Sequence, residues 1–149
     1  MYERILIPTD GSTLAAKGVR EGVRLARLLR ARVTGAYVAP PFVPGLYTEG
    51  AIYNASAFAR AEYRRLTEKV AHKALRAIEH AARDAGVPCR TRIVYNAQPW
   101  RGILKAARSA RCDAIVMASH GRGAVGGLLI GSETSRVLAH SRLPVLVVR

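Results

Sequence analysis

The sequence predicts an α/β fold: one domain, residues 1–149, built on a doubly wound five-stranded parallel sheet with helices on both faces. Three observations carry that expectation. Short apolar runs of strand type alternate with longer segments of helical period along the whole chain. The strand-type runs are continuously apolar, as strands covered on both faces are, and do not alternate with polar residues. Each pair of runs is separated by a helical segment, and right-handed crossovers then leave few topologies. Apolar residues make up 50% of the 149, which argues against disorder and is enough to build a core without disulfide or metal.

The elements follow in order. Arg4–Thr9 (RILIPT) is the first strand. Asp10-Gly11-Ser12 turns the chain, and Ser12 is placed to cap a helix running to about Arg30. Val33–Val38 is the second strand, and the proline-rich run from Pro40 to Gly45 opens a lid or surface loop to about Asn54. A long helix from roughly Ser56 to Ala85 stops at Gly86-Val87-Pro88. Arg90–Tyr95, the most polar run, is the third strand and is expected nearer a sheet edge. Gln98–Ala110 is helical, with Pro99 tolerated in its first turn. Ala114–Met117, Ser132–His140 and Val145–Val148 are the fourth strand, the last helix and the fifth strand.

Charge and cysteine content narrow the function classes. The chain carries 24 basic and 10 acidic residues, a formal charge of +14, which raises nucleic acid as a partner. The charges are dispersed, however. Lys17, Arg20, Arg24 and Arg27 share one face of the first helix, and Leu14, Val19, Val23, Ala26 and Leu29 line the other. That is a solvated helix face, so nucleic acid is not the expected partner. Cys89 and Cys112 lack the spacing of a zinc or redox motif and read as reduced structural thiols. No run approaches the roughly 20 apolar residues of a membrane span, and the N-terminus has no leader pattern, so a cytoplasmic protein is expected.

The most informative stretch is Met117–Thr134. A strand gives way to a glycine-rich loop that ends in Gly131-Ser132, at the start of a helix. Strand, glycine loop and helix N-terminus together hold a phosphate, because glycine admits the anion to the backbone and the first-turn N–H groups point at it. In a doubly wound sheet the ligand sits beyond the carboxyl ends of the strands, where strand order reverses. If the first and fourth strands are neighbours there, Asp10 shares a crevice with the glycine loop and can bond a ribose hydroxyl or a metal on the phosphates, or else serve only the turn. The GxGxxG match at Gly121–Gly126 follows the penultimate strand, and no acidic residue lies about 20 positions later, so it is no dinucleotide fingerprint. Gly126–Gly131 has the spacing of a P-loop, but Ser132 replaces its lysine. No GxSxG elbow occurs. His72 and His80 lack a third metal ligand, Trp100 reads as packing, and His120 reads as a loop-orienting residue.

These residues resemble the universal stress protein family along the whole chain: Ile5–Ser12, the Tyr37-Val38 strand end, and above all Met117–Val148. The family's ATP-binding signature is Gly, two residues, Gly, nine residues, Gly, then Ser or Thr. Gly121, Gly131 and Ser132 fit it, and Ala118 holds the first glycine position. The resemblance implies a Rossmann-like fold of the adenine-nucleotide alpha-hydrolase type, with ATP and Mg2+ as cofactors. It implies that Pro8, Thr9 and Asp10 contact adenine, ribose or metal, Asp10 being the metal residue. The Val38 backbone would meet the adenine edge, and Met117 and Ala118 would line the nucleoside. Gly121, Arg122, Gly131, Ser132, Glu133 and Thr134 would follow the phosphates, Ser132 and Thr134 through their hydroxyls and Glu133 through its backbone N–H alone. It also implies a homodimer joined through Val145–Val148, an exposed apolar edge suited to pairing. The function implied is an ATP-binding regulatory protein of the stress response. A slow ATPase or self-phosphorylating protein using the same pocket, and a nucleotide-free basic interaction module, are the alternatives.

Overall fold

The computed structural model describes residues 1–44, 53–119 and 130–149, with the backbone alone for 53–56. The elements are β1 (Arg4–Pro8), α1 (Thr13–Leu29), β2 (Arg32–Ala39), α2 (Tyr53–Asp84), β3 (Cys89–Tyr95), α3 (Pro99–Ser109), β4 (Ala114–Ala118), α4 (Ser132–His140) and β5 (Val145–Val148). They form one five-stranded sheet in the order β3-β2-β1-β4-β5, with every pairing parallel. The α/β doubly wound architecture is therefore as the sequence predicts, with the polar β3 at an edge.

Alternation along β1 shows how the sheet is covered. Ile5, Leu6 and Ile7 are all fully buried, yet they face opposite sides. Ile5 and Ile7 pack with Val19, Val23 and Ala26 of α1 and with Leu75 and Ile78 of α2. Leu6 packs with Ile103 and Ala106 of α3, Ile115 of β4 and Val137 of α4. Two cores thus sandwich the sheet, and β1 anchors both.

Several boundaries differ from the sequence reading. β1 ends at Pro8, because Thr9, although its N–H still reaches the Ala36 carbonyl at 2.9 Å, turns the chain by accepting the Gly11 N–H at 3.1 Å. α1 ends at Leu29, and Arg30 follows it in the left-handed conformation, φ 55°. β2 runs one residue further at each end, β3 starts one residue earlier and β4 runs through Ala118. α3 is one residue shorter at each end because Gln98 and Ala110 are its caps. α2 begins at Tyr53, before the expected Ser56, and ends at Asp84; of the expected loop, residues 45–52 lie outside the described residues.

The buried face of α1 also differs. It is made of Ala15, Gly18, Val19, Gly22, Val23 and Ala26, while Leu14 is 40% exposed. Small residues carry this face because α1 lies directly on the sheet. A Cβ on Gly18 would stand 2.7 Å from the Ala118 nitrogen and 3.1 Å from the Met117 carbonyl carbon. Lys17, Arg20, Arg24 and Arg27 are exposed as expected, and the Ser12 hydroxyl caps the helix by accepting the Ala15 N–H at 3.1 Å.

Candidate functional site

β1 and β4 are neighbours, and strand order reverses between them. The chain winds outward from β1 through β2 to β3, then crosses back to β4 and β5. α1, leaving β1, and α4, following β4, cover opposite faces of the sheet, so the carboxyl ends of the central strands diverge into a crevice. A cleft of about 440 Å³ opens there. Pro8, Thr9, Asp10, Val38, Met117, Ala118, Gly131, Ser132, Glu133 and Thr134 all line it. Gly121 and Arg122, with His120, lie outside the described residues.

The β1 end supplies a rigid turn. The Asp10 carboxylate accepts the Ser12 N–H at 2.9 Å, so the aspartate does serve the turn, besides lining the cleft. The β2 end supplies an open backbone position. Ala36 faces β1, since its carbonyl accepts the Thr9 N–H, and Ala39 faces β3, since its carbonyl accepts the Asn96 N–H. By the period of two, Val38 turns its N–H and C=O to the β1 side, two residues beyond Ala36, the last partner of β1. The Val38 backbone therefore looks into the crevice past the end of β1. Gly102 of α3 makes room for its side chain: a Cβ there would stand 2.4 Å from the Val38 Cγ1.

α4 closes the cleft with its N-terminus. Gly131 is its N-cap and makes no side-chain cap, and the first turn-to-turn bond is Ser135 N–H to the Gly131 carbonyl at 2.9 Å. The amides of Ser132, Glu133 and Thr134 precede that bond and have no carbonyl inside the helix to meet. All three residues line the cleft, so partial positive charge collects at its wall. Gly131 itself is held by its N–H on the Ser119 carbonyl at 2.7 Å.

Two side chains of α4 hold the fold around the cleft. Thr134 is buried, and its hydroxyl donates to the Ala118 carbonyl at 3.1 Å. Its one proton thereby ties α4 to the end of β4. The Glu133 carboxylate turns away to α3, where one oxygen accepts the Trp100 N–H at 2.8 Å and the other faces Arg136 at 3.3 Å. Gln98, the N-cap of α3, makes no side-chain cap, and Glu133 supplies one across the fold. Among the described residues Ser132 keeps an exposed hydroxyl with no protein partner.

Six further residues line the cleft that the sequence did not offer as site residues: Ala15, Ala36, Tyr37, Pro40, Pro99 and Ile103. Pro99 and Ile103 arrive because α3 packs beside the β2 end, a tertiary placement without a local signal. Tyr37 and Pro40 flank Val38, and there the strand end itself was the available signal. The remaining candidates sit elsewhere. His72 and His80 are exposed on α2, and no group of three or more metal-ligating side chains occurs among the described residues. Trp100 packs on the α3/α4 core with its ring centroid 4.4 Å from that of His140. Cys112 is buried and Cys89 half-buried, both free, and burial pushes both thiols up from their ordinary pKa. No described helix is long and apolar enough to cross a membrane.

This architecture matches known proteins over its full length. The model of the universal stress protein family matches residues 1–149. A universal stress protein of Thermus aquaticus is 33% identical over 151 aligned residues, covering 100% of both chains. Universal stress protein MJ0531 of Methanocaldococcus jannaschii is 30% identical, covering 100% of this chain and 83% of its own. Among solved structures, protein MJ0577 of the same organism superposes with a TM-score of 0.79 at 30% identity, covering 99% of this chain and 96% of that one. A universal stress protein solved in complex with cAMP shares the fold, with a TM-score of 0.70 at 22% identity, covering 99% of this chain and 97% of that one. With its sequence and its topology in agreement along the entire length, this chain belongs to the universal stress protein family.

Proposed function

We propose that the chain is an ATP-binding regulatory protein of the stress response, acting in the cytoplasm by holding the nucleotide and not by turning it over rapidly. One observation carries the reading: three first-turn amides of α4 that no carbonyl of the helix meets and the outward-looking Val38 backbone belong to residues lining the same cleft. A nucleotide needs both ends met. The Val38 N–H and C=O match the ring nitrogen and amino group on the pairing edge of adenine. The apolar walls Met117, Ala118, Ala36 and Ile103 suit the base and sugar, and the α4 amides with the Ser132 hydroxyl suit phosphate oxygens. Gly121 and Arg122, by their family resemblance, would extend the phosphate contacts. The fold tolerates such a ligand: two of its solved members hold cAMP and dAMP.

The described residues fit a magnesium ion in one way. Mg2+ keeps several waters and takes one or two carboxylates besides phosphate oxygens. Asp10 is the carboxylate at the β1 end of the cleft, where it also accepts the Ser12 N–H. It would hold a nucleotide-borne Mg2+ from the phosphate side, neutralising charge that the helix amides only partly offset. β5 is a sheet edge with Leu146 49% exposed, and we assign it to pairing with β5 of a second copy.

The test starts with freshly purified protein, denatured and cleared, its released nucleotide identified by chromatography. A calorimetric titration with Mg-ATP then follows on wild type and Gly131→Leu. Near-stoichiometric ATP, or saturable binding lost in Gly131→Leu, is expected. No released nucleotide together with no heat would overturn the reading, and unchanged affinity in Gly131→Leu would overturn the site. ADP accumulating in proportion to protein, and absent from Asp10→Ala, would assign slow hydrolysis to the same pocket.

A further inference from the structure

The opposite edge of the sheet carries a second feature that helix periodicity does not show. Arg4 opens β1 and pairs in register with Arg32, which opens β2. Arg30 lies two residues before β2, and Arg111 and Arg142 lie three residues before β4 and β5. Because the strands are parallel, all five residues arrive at the amino edge, across four neighbouring strands spanning about 14 Å at the usual strand spacing. None of the five forms an ion pair among the described residues, where the ion pairs fall on other arginines. Asp113, the carboxylate beside Arg4, is spent on backbone, accepting the N–H groups of Glu3 at 2.8 Å and Arg4 at 3.0 Å. Between α1 and the chain start lies a bay of about 480 Å³, lined by Arg4, Arg30 and Arg32 with Tyr2, Leu29 and one acid, Glu3.

The backbone supports the same conclusion. α1, α2 and α3 end in one shared motif, in which two successive N–H groups turn back to carbonyls of the last turn: Arg30 and Ala31, Gly86 and Val87, Arg111 and Cys112. The motif needs a left-handed residue. α2 uses Gly86 at φ 67°, the unstrained choice, whereas α1 and α3 hold Arg30 at φ 55° and Arg111 at φ 52°. The two strained positions are the ones that flank Arg4 at the centre of the edge.

We propose that this amino edge binds single-stranded nucleic acid, with the arginines on successive phosphates and a base stacked on Tyr2. A row of guanidinium groups without ion pairs among the described residues, beside a tyrosine that is 40% exposed, is the combination such a strand requires, and a formal charge of +14 suits a continuous polyanion. The site is independent of the nucleotide cleft, which lies at the other end of the same strands.

The experiment measures fluorescence anisotropy of a labelled oligothymidylate against the full chain over a range of salt. Binding should weaken steeply with salt, because each phosphate contact releases counterions. The double variant Arg30→Gly/Arg111→Gly should lose on the order of tenfold in affinity at low salt and about 1.4 in the log–log salt slope, at about 0.7 per contact. Its melting temperature should hold or rise, which separates lost binding from lost folding. Tyr2→Ala should weaken binding, and saturating Mg-ATP should leave it intact. Absence of binding at low salt overturns the proposal. So does an equal loss in Lys17→Gln/Arg20→Gln, on the outer face of α1, or displacement by ATP. Equal competition by inorganic polyphosphate, with Tyr2→Ala unchanged, would reduce the edge to an unspecific polyanion surface and overturn the assignment to nucleic acid.

Discussion

At the carboxyl edge of the sheet, the polar side chains of the cleft are largely occupied within the protein. Thr9 accepts from Gly11, Asp10 from Ser12 and Glu133 from Trp100, while Thr134 donates to Ala118. At the amino edge, Arg4, Arg30, Arg32, Arg111 and Arg142 form no ion pair among the described residues. The difference teaches that the two ends of one set of strands recognise by different means. The cleft is shaped: most of its polar side chains are locked into turns and caps, and the first-turn amides of α4 have no helix carbonyl to meet. The amino edge is charged but little shaped, and any recognition there depends on electrostatics that salt screens. Perturbing the locked side chains of the first should cost stability together with binding, and perturbing the second should separate them.

The largest effect is expected where α1 meets the backbone of β4 beside the cleft. Gly18→Leu places a side chain where even a Cβ stands 2.7 Å from the Ala118 nitrogen, and the obstacle is backbone, which has no rotamer to yield. α1 must lift from β4, at a cost of about 3 kcal/mol or more. Urea unfolding should show it, and nucleotide affinity should fall in the same variant. A variant of wild-type stability would mean that α1 does not define the cleft floor.

Next in size is Thr134→Val, which keeps the shape and removes the donor to the Ala118 carbonyl. Leaving a buried acceptor unmet costs about 1–3 kcal/mol, so a lowered unfolding midpoint is expected. Ser132→Ala is its counterpart on the same turn. Its hydroxyl is exposed, so stability should move by less than about 0.5 kcal/mol while Mg-ATP affinity drops. If the two variants exchanged behaviours, the assignment of structural and ligand-facing hydroxyls on α4 would be reversed.

How much of this was legible in the sequence depends on the range of the contact involved. α4 was read with its bounds intact, because Gly131-Ser132 and His140-Ser141 mark both ends locally. Ile5–Ile7 and Ala114–Met117 were legible because strands buried on both faces are apolar throughout. The Ser12 cap is a contact over three residues and was read as such. The tie of Thr134 to β4 was not legible because its partner, Ala118, lies 16 residues away, whereas the hydroxyl alone looks available to any ligand. The packing face of α1 was partly misread for another reason. Gly18 and Gly22 look like weak points in a helix, and only the sheet beneath shows them to be what lets it approach. The arginine row is the extreme case. Arg4 and Arg32 are sheet partners 28 positions apart, and no periodicity along one element could bring them together.

Glu133→Ala tests the link between the cleft and α3. Removing the carboxylate deprives the α3 N-terminus of its acceptor at Trp100 and should cost about 1 kcal/mol, in the range of a lost helix cap. Glu133→Gln should recover part of that, since an amide oxygen still accepts. Full retention of stability in the alanine variant would show that water replaces the carboxylate without cost.

The smallest expected effect bears most directly on the contrast between the two edges, because the protein contains its own control. Gly86 and Arg30 occupy the same position of the same helix-ending motif, and a Cβ at Gly86 would meet nothing within 4 Å. Any cost of a side chain at Gly86 is therefore conformational. Gly86→Arg should destabilise the fold by about 1 kcal/mol, the price of the left-handed region for an L-residue, and Arg30→Gly should return most of that amount. Thermal unfolding of both variants, read at matched ionic strength, makes the comparison. If Arg30→Gly is neutral or destabilising while Gly86→Arg costs the expected amount, then Arg30 makes a stabilising contact in its place and its strain needs no functional account. If both shifts appear with opposite signs, stability alone does not explain an arginine at Arg30, and the unpaired charge beside Arg4 and Arg32 is what that position gains.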